Sequence, residues 1–468
     1  MNKKLLLLFL LFTIIFIPSY AQEAAEATAG EVQEGGFSFV SLLRGLFGII
    51  VLLGLGFLIS SKKKAINWRV IGTGLAVQFI IAIIVLKVPF FQYVIELFGN
   101  IFLKILDFTQ EGTSFLLESF VSGTVESPMI NFVFWVLPTI IFFSAITSIL
   151  FYYGIIQKIV YVMAWLLKKA LGISGAESLS ATANIFLGQT ESPLLIKEYL
   201  KNMNRSEIML VMTGGMATIA GGVMAIYIGM LGGTDPESQL LFAKHLITAS
   251  VMAAPGAVVA AKLLVPQTEV IQSEIKVSKE SIGENVLDAI TNGTMQGIRL
   301  MVNVAAMLLV FIALIALLNF ILIKVGDWTH LNEVIVSATG GQYDGLSMQF
   351  ILGYTIAPLT WAIGVSPEDM TLVGHLFGEK IILNELVAYS SLKEYISLEA
   401  FTHEKSMIMA TYMLCGFANF ASIGIQIGGI GALAPNKRVV LSQLGVRAMI
   451  GGALASLFSA TMVGIILG

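Results

Sequence analysis

Apolar windows close to the ~20 residues a helix needs to cross a bilayer recur along this chain, and that recurrence restricts its fold more than anything else in it. They run over residues 37–60, 70–88, 131–151, 207–231, 241–264, 300–323, 406–432 and 441–467. Inside lipid no water is available to satisfy backbone N–H and C=O groups, so only helices and closed barrels can span. Runs of this length specify helices rather than strands. The expected fold class is therefore an all-α polytopic membrane protein with eight transmembrane helices. The chain is 56% hydrophobic and only 12% charged, against ~25% charged in soluble domains. With a single cysteine, Cys415, it can form no internal disulfide. The net charge of −3 says nothing about nucleic acid, and no basic run suggests it as a partner.

The N-terminus reads as a signal peptide over residues 1–21. Lys3 and Lys4 precede an apolar core, and Ser19-Tyr20-Ala21 forms a small-x-small cleavage site. A short acidic, glycine-containing extracytoplasmic tail follows over 22–36. If the mature N-terminus is outside, the first span runs inward and ends at Lys62, Lys63, Lys64 and Arg69, as the positive-inside rule requires. By alternation, residues 152–206 fall inside and carry Lys158, Lys168, Lys169, Lys197, Lys201 and Arg205. The 435–438 loop also falls inside, with Lys437 and Arg438, while 232–239 and 326–348 fall outside and hold no Lys or Arg. Lys87 and Lys104 fall on the outer side, so the rule acts as a bias. The expected location is the inner (plasma) membrane of a bacterium.

Two apolar regions cannot be simple spans without breaking that alternation. Residues 178–200 are interrupted by Gln189, Thr190, Glu191 and Pro193, and residues 350–392 by Pro358, Pro367, Glu368, Asp369, Lys380 and Glu385. Each is expected to be a re-entrant hairpin, the first entering from the cytoplasm and the second from outside. The segments following them match: Gly215-Met216-Ala217-Thr218-Ile219-Ala220 and Gly416-Phe417-Ala418-Asn419-Phe420-Ala421 share a pattern but run in opposite directions. That is an inverted repeat, a build of secondary transporters whose site lies between the broken helices of the two halves. The chain divides accordingly into spans and scaffold (37–174), a first repeat (175–266), a linker with a scaffold span (267–349) and a second repeat (350–468).

Ionisable groups at membrane depth are costly and mark function by default. Glu191 lies beside Gln189 and Thr190, a cluster that suits a polar ligand better than a snorkelling carboxylate. Glu385, beside Asn384, offers the same from the other hairpin, and a carboxylate can accept two sugar hydroxyls. Asn419 and Ser422 share a helix face, serving either a ligand or a helix–helix contact. Phe417 either packs in the core or touches an aromatic base. Asn184 and Thr218, with carbonyls from an unwound hairpin tip, could coordinate a small hard cation; the residues leave sodium and a proton, carried on Glu191, both open. The histidines are scattered without metal-ligand spacing. Without a phosphate-binding glycine loop, a nucleophile elbow or a paired metal motif, the chain reads neither as a pump nor as an enzyme. A membrane receptor or sensor that binds such a ligand without moving it is disfavoured, since no signalling domain is evident after the last span.

At these residues the chain resembles the concentrative nucleoside transporter family. The matching stretches are Gly188-Gln189-Thr190-Glu191-Ser192-Pro193-Leu194-Leu195, Leu263-Leu264-Val265-Pro266-Gln267-Thr268-Glu269, Asn303-Val304-Ala305-Ala306-Met307, Asn384-Glu385, Cys415-Gly416-Phe417-Ala418-Asn419-Phe420 and Gly428-Gly429-Ile430-Gly431-Ala432-Leu433-Ala434-Pro435. The resemblance implies a homotrimer with one site per protomer, no cofactor, and an elevator-like domain. It implies that Gln189, Thr190 and Glu191 face the nucleobase with Val223 and Phe417 nearby, and that Glu385, Asn419 and Ser422 hold the ribose. It implies a sodium site at Asn184 and Thr218 with the carbonyls of Leu187 and Ile219. Thr218 stands where many members carry serine, and it keeps the hydroxyl. Gly188-Gln189 with Val223 resembles members of broad base selectivity.

Overall fold

The computed structural model describes residues 38–121, 137–233, 235–269, 283–341 and 343–468. The leader, the acidic tail and the first residues of the 131–151 window lie outside the described residues. Among the described residues all regular elements are helices.

The chain enters through α1 (Phe39–Ile59) and α2 (Trp68–Lys87), with the Ser38 and Asn67 side chains accepting from the first free backbone N–H groups. Pro89, whose missing N–H costs nothing at a helix start, opens α3 (Pro89–Val121). Next come α4 (Leu137–Tyr152) and α5 (Ile155–Leu171). They meet at 75° across Gly154, whose φ of 70° suits a residue without a Cβ. Helix α6 (Gly175–Ala183), a 3-10 turn (Ser192–Ile196) and α7 (Lys197–Leu200) follow. After them run α8 (Arg205–Ala217), α9 (Gly221–Gly232) and α10 (Pro236–Leu264). A 44-residue helix, α11 (Val286–Thr329), then bends by 99° into α12 (Leu331–Ala338). The chain closes with α13 (Met348–Ala362), α14 (Met370–Ile382), α15 (Glu385–Ser397), α16 (Glu404–Leu414), α17 (Phe420–Leu433) and α18 (Arg438–Leu467).

Among the described residues six helical stretches are long and apolar enough to cross a bilayer, or eight if each bent pair counts as one. Neither total reproduces the expected eight spans, because the larger one includes Pro89–Leu106 and leaves out the 406–432 window, and the windows differ in three places. The 207–231 and 406–432 windows are each two helices, broken at 218–220 and 415–419. Their runs of small residues hide the breaks from any hydropathy count. Pro89–Leu106 qualifies by composition but was not among the expected windows; its Glu96 pairs with Lys244 of α10 at 2.5 Å. The 350–392 region, expected as one hairpin, is three helices. One reversal lies between α13 and α14, where the Thr360 hydroxyl donates to the carbonyl of Met370. The other lies at 383–384, after which Tyr395 OH meets His375 Nδ1 at 2.8 Å. That contact, with Glu379 Oε1 2.9 Å from Nε2, packs His375 between neighbours.

Burial sorts the bundle into two tiers. In the most apolar windows of α8–α9, α10 and α18, 89% of residues are buried, against 22% in α1 and α2. The outer helices present Phe47, Ile50, Leu166 and Phe320 outward; such a surface is soluble only in lipid.

The two broken helices run antiparallel. Lys437 Nζ and Asn436 Nδ2, just past the end of α17, donate to the carbonyls of Met203 and Lys201, just before α8. The break that ends α8 meets the break that starts α17: a Cβ on Gly416 would lie 2.5 Å from the carbonyl oxygen of Ala217. The end marked by Lys201, Arg205, Lys437 and Arg438 also receives Lys62, which donates to Thr268. Three segments expected on one side of the membrane are therefore gathered at one end of the bundle.

Candidate functional site

Both breaks sit mid-bundle, where helix ends leave backbone groups without intrahelical partners. In the second half, Asn384 caps α15 through the N–H of Val387 and so presents Glu385 in its first turn. Asn419 likewise caps α17 through the N–H of Ser422, at 2.9 Å. Asn419 Nδ2 donates to Glu385 Oε2 at 2.8 Å, and Tyr227 of α9 donates to Oε1 at 3.3 Å. On the other side of Asn419, the Ser422 hydroxyl accepts from Gln189 Nε2 at 3.2 Å. Gln189 Oε1 accepts from Gln426 Nε2 at 3.1 Å, and that amide also reaches the carbonyl of Met212 at 3.0 Å.

The result is one polar string, Tyr227–Glu385–Asn419–Ser422–Gln189–Gln426, that passes through both hairpins and both broken helices. All six side chains are at least nine-tenths buried. Burying that many polar groups is tolerable because each side chain bonds to another, with only Gln426 Oε1 of the string left without a partner among the described residues, and the same groups can exchange those partners for a polar ligand's hydroxyl and amide groups.

The string contains Gln189, Glu385, Asn419 and Ser422 of the expected residues. Val223 is buried one turn from Tyr227 on α9, and Phe417 is half-buried in the second break. Thr190 lies against Gly429 of α17, where a Cβ would be 3.0 Å from its methyl. Glu191 is placed differently from the expectation of a buried carboxylate: it is exposed, accepts from the Thr190 hydroxyl at 3.0 Å, and folds back over Gly188. Tyr227 and Gln426 were missed. Gln426 stands seven residues past Asn419 and four past Ser422, on the same helix face, and Tyr227 stands four past Val223.

In the first half the unwound residues after α6 are laced to the first break. The Gly221 N–H donates to the carbonyl of Phe186 at 3.2 Å, and Ser250 of α10 donates to that of Ile185 at 3.2 Å. Asn184 Nδ2 donates to the carbonyl of Ser180 at 2.8 Å and lies against Gly214, whose own carbonyl accepts from the Thr218 hydroxyl. Asn184 Oδ1 is buried without a hydrogen-bond partner among the described residues. An orphaned oxygen beside a hydroxyl at a helix break fits a small hard cation, which takes oxygen ligands. Leu187, three residues past Asn184, and Ile219, next to Thr218 in the chain, are both buried. Among the described residues no group of three or more His, Cys, Asp or Glu could hold a metal ion.

Gly416 lets the breaks meet. Its φ of 108° is accessible to few residues with a Cβ, and the Cβ would strike Ala217. Gly416→Ala is expected to cost ~2 kcal/mol or more. Thermal unfolding of the detergent-purified protein reads that loss, and an unchanged midpoint would mean the breaks do not need this approach.

Known proteins match this chain along nearly its whole length. Residues 47–120 match the family model for the N-terminus of Na+ dependent nucleoside transporters. Residues 133–234 match one described as nucleoside recognition, and 245–464 match the Na+ dependent nucleoside transporter C-terminus. The chain is 39% identical over 435 residues to an uncharacterized transporter of Haemophilus influenzae, covering 92% of this chain and 99% of that one. It is 38% identical to sodium/nucleoside cotransporter 1 of Rattus norvegicus, covering 90% of this chain but 63% of the rat protein. Its fold matches CNTnw in an inward-facing substrate-bound state with a TM-score of 0.81 and 36% identity, covering 91% of this chain and 99% of that chain.

Proposed function

The chain belongs to the family of Na+ dependent nucleoside transporters, and from that premise we propose that it carries nucleosides into the cytoplasm by sodium-coupled symport. The observation that carries this reading is the polar string from Tyr227 to Gln426, which joins both hairpins to both breaks. A nucleoside has two polar ends, and the string has two matching sections. Glu385 and Asn419 accept and donate to the ribose hydroxyls. Gln189, with Ser422 and Gln426 behind it, reads the hydrogen-bonding edge of the base, and Thr190, Val223 and Phe417 line its sides. Glu191 stays at the hairpin surface and comes to the base only when the hairpin closes on substrate.

Na+ binds at Asn184 Oδ1 and the Thr218 hydroxyl, with the carbonyls of Leu187 and Ile219. Holding these unwound residues to the first break also fixes Gln189, so the cation raises nucleoside affinity; such couplings amount to ~1–3 kcal/mol. The buried tier moves against the lipid-facing tier as an elevator in the bacterial inner membrane. Each protomer of a homotrimer carries its own site, and the mature N-terminus lies outside.

Uridine uptake into proteoliposomes tests the reading. An inward Na+ gradient should raise initial uptake ~10-fold or more over choline, the range a coupling of this size allows. Uptake indifferent to Na+ but driven by an inward proton gradient would replace the sodium reading.

A further inference from the structure

In the second half a lysine stands where the first half offers bare oxygens. Lys380, in the last turn of α14, is fully buried. Its ammonium donates to the carbonyls of Met413 at 2.7 Å and Cys415 at 3.2 Å, and to the Ser456 hydroxyl of α18 at 3.1 Å. Met413 and Cys415 form the end of α16 at the second break, and the carbonyls of a helix end carry partial negative charge. All three donors of the ammonium are thus spent on neutral oxygens. Among the described residues no carboxylate makes an ion pair with it. Among the described residues the other buried lysine, Lys262, is instead neutralised by Glu177. An ammonium in a dry interior is costly, so its place beside these carbonyls is specific.

The first half has the same parts in the same order: a hairpin helix, a broken helix and a long helix that adds a serine. There neither α6 nor α8 has a basic residue in its last turn. The hairpin contributes Asn184 with its unpartnered oxygen, and the serine of α10, Ser250, bonds the hairpin backbone. One break is served by a cation on the chain; the other presents oxygens to a cation from solution.

We propose that Lys380 is a tethered cation occupying the second half's counterpart of the coupling-ion site, so that each protomer takes up one Na+ per nucleoside. The proposal rests on the sodium reading of the first break and deepens it. The ammonium holds hairpin α14–α15 to the second break and thereby positions Glu385, as Na+ holds the first hairpin and positions Gln189. The need for a positive charge at both breaks is met once by the chain and once by the gradient. Lys380 is a positioning residue; it does not touch substrate.

The test compares wild type, Lys380→Ala and Lys380→Met in proteoliposomes. Wild type should bind one 22Na+ per protomer at saturation and show a Hill coefficient of one for Na+ in uridine uptake. Lys380→Ala should lose ~10-fold or more of its uridine affinity at wild-type working Na+, within the usual span of such couplings. It should regain affinity with added n-propylammonium, which replaces the atoms removed, or with raised Na+, then with a Hill coefficient approaching two. Lys380→Met fills the space without charge and should be impaired with no rescue by either cation.

Wild-type-like uptake by Lys380→Met, impairment of Lys380→Ala that neither cation relieves, or two 22Na+ per wild-type protomer would each overturn the proposal. The 22Na+ count needs no variant, so it decides the matter even if a variant fails to fold. Failure of wild type to use Na+ at all would instead overturn the sodium reading on which the proposal stands.

Discussion

Glu385→Gln is expected to reduce ribonucleoside uptake ~100-fold or more while leaving a protein that inserts and purifies normally. The carboxylate is acceptor-only and holds two donors, Asn419 Nδ2 and the Tyr227 hydroxyl. Its remaining lone pairs are free for sugar hydroxyls. Glutamine keeps the volume but turns one oxygen into an NH2, which then faces one of those donors. The charge that strengthens the bonds to the sugar is also lost. Hydrogen bonds to an ionised group are worth ~1.5–3 kcal/mol each, so losing two amounts to ~3–6 kcal/mol. Each 1.4 kcal/mol is about tenfold in affinity. The fold should survive, because the Asn384 cap and the packing of α15 do not depend on the charge. Initial rates with uridine and with its dideoxy analogue separate the causes. Wild type should prefer uridine to the analogue and the variant should lose most of that preference, while uridine uptake at the wild-type rate would remove Glu385 from the ribose.

Much of this arrangement could be read from the chain because its elements obey local rules. Spans announce themselves by apolar length, and a glutamate in the middle of an apolar run announces a site because its burial must be justified. The Ser174-x-x-Glu177 capping box at the start of α6 is legible in the same way, since both of its bonds are local. The breaks at 218–220 and 415–419 were legible as matching small-residue segments but not as breaks. Glycine and alanine fit a continuous membrane helix as well as a broken one, and only the meeting of Gly416 with Ala217 decides between them. Gln426 stood on the face of Asn419 and Ser422, but a lone glutamine in an apolar helix more often bonds a neighbouring helix. Here it does so, through the carbonyl of Met212, and joins the string as well. Glu191 drew attention for its charge and its polar neighbours, yet charge alone does not say which side of a hairpin tip faces water. The extra reversal between α13 and α14 had no local mark beyond Pro367, and prolines occur inside α10 and α13 without reversing them.

Lys262→Met is expected to destabilise the protein by ~3–5 kcal/mol, the range for removing one partner of a buried ion pair. Glu177 and Lys262 lie 85 residues apart, a separation at which sequence gives no pairing signal. Glu177 is fully buried and already spends Oε2 on the N–H of Ser174, at 2.9 Å. Its Oε1 accepts from Lys262, which also donates to the hydroxyl of Ser206 at 3.0 Å. Ser206 in turn donates to the carbonyl of Val265 at 2.7 Å. The start of the first hairpin, the start of α8 and the end of α10 are therefore tied at one point. Methionine fills the space of the lysine stem but leaves the carboxylate unpaired in a dry site. Adding Glu177→Gln removes that stranded charge and keeps an acceptor for the Ser174 cap. The double variant should thus recover much of the loss, and the cycle should show a coupling of ~1–3 kcal/mol, the upper part of the range for residues in contact. Thermal midpoints of the four proteins in detergent give the cycle. The loosened hairpin should also weaken Na+ activation of uptake in Lys262→Met, since Asn184 and Leu187 follow directly from α6. Additive losses in the two single variants would show that the charges are separately solvated and that the tie contributes nothing to the hairpin.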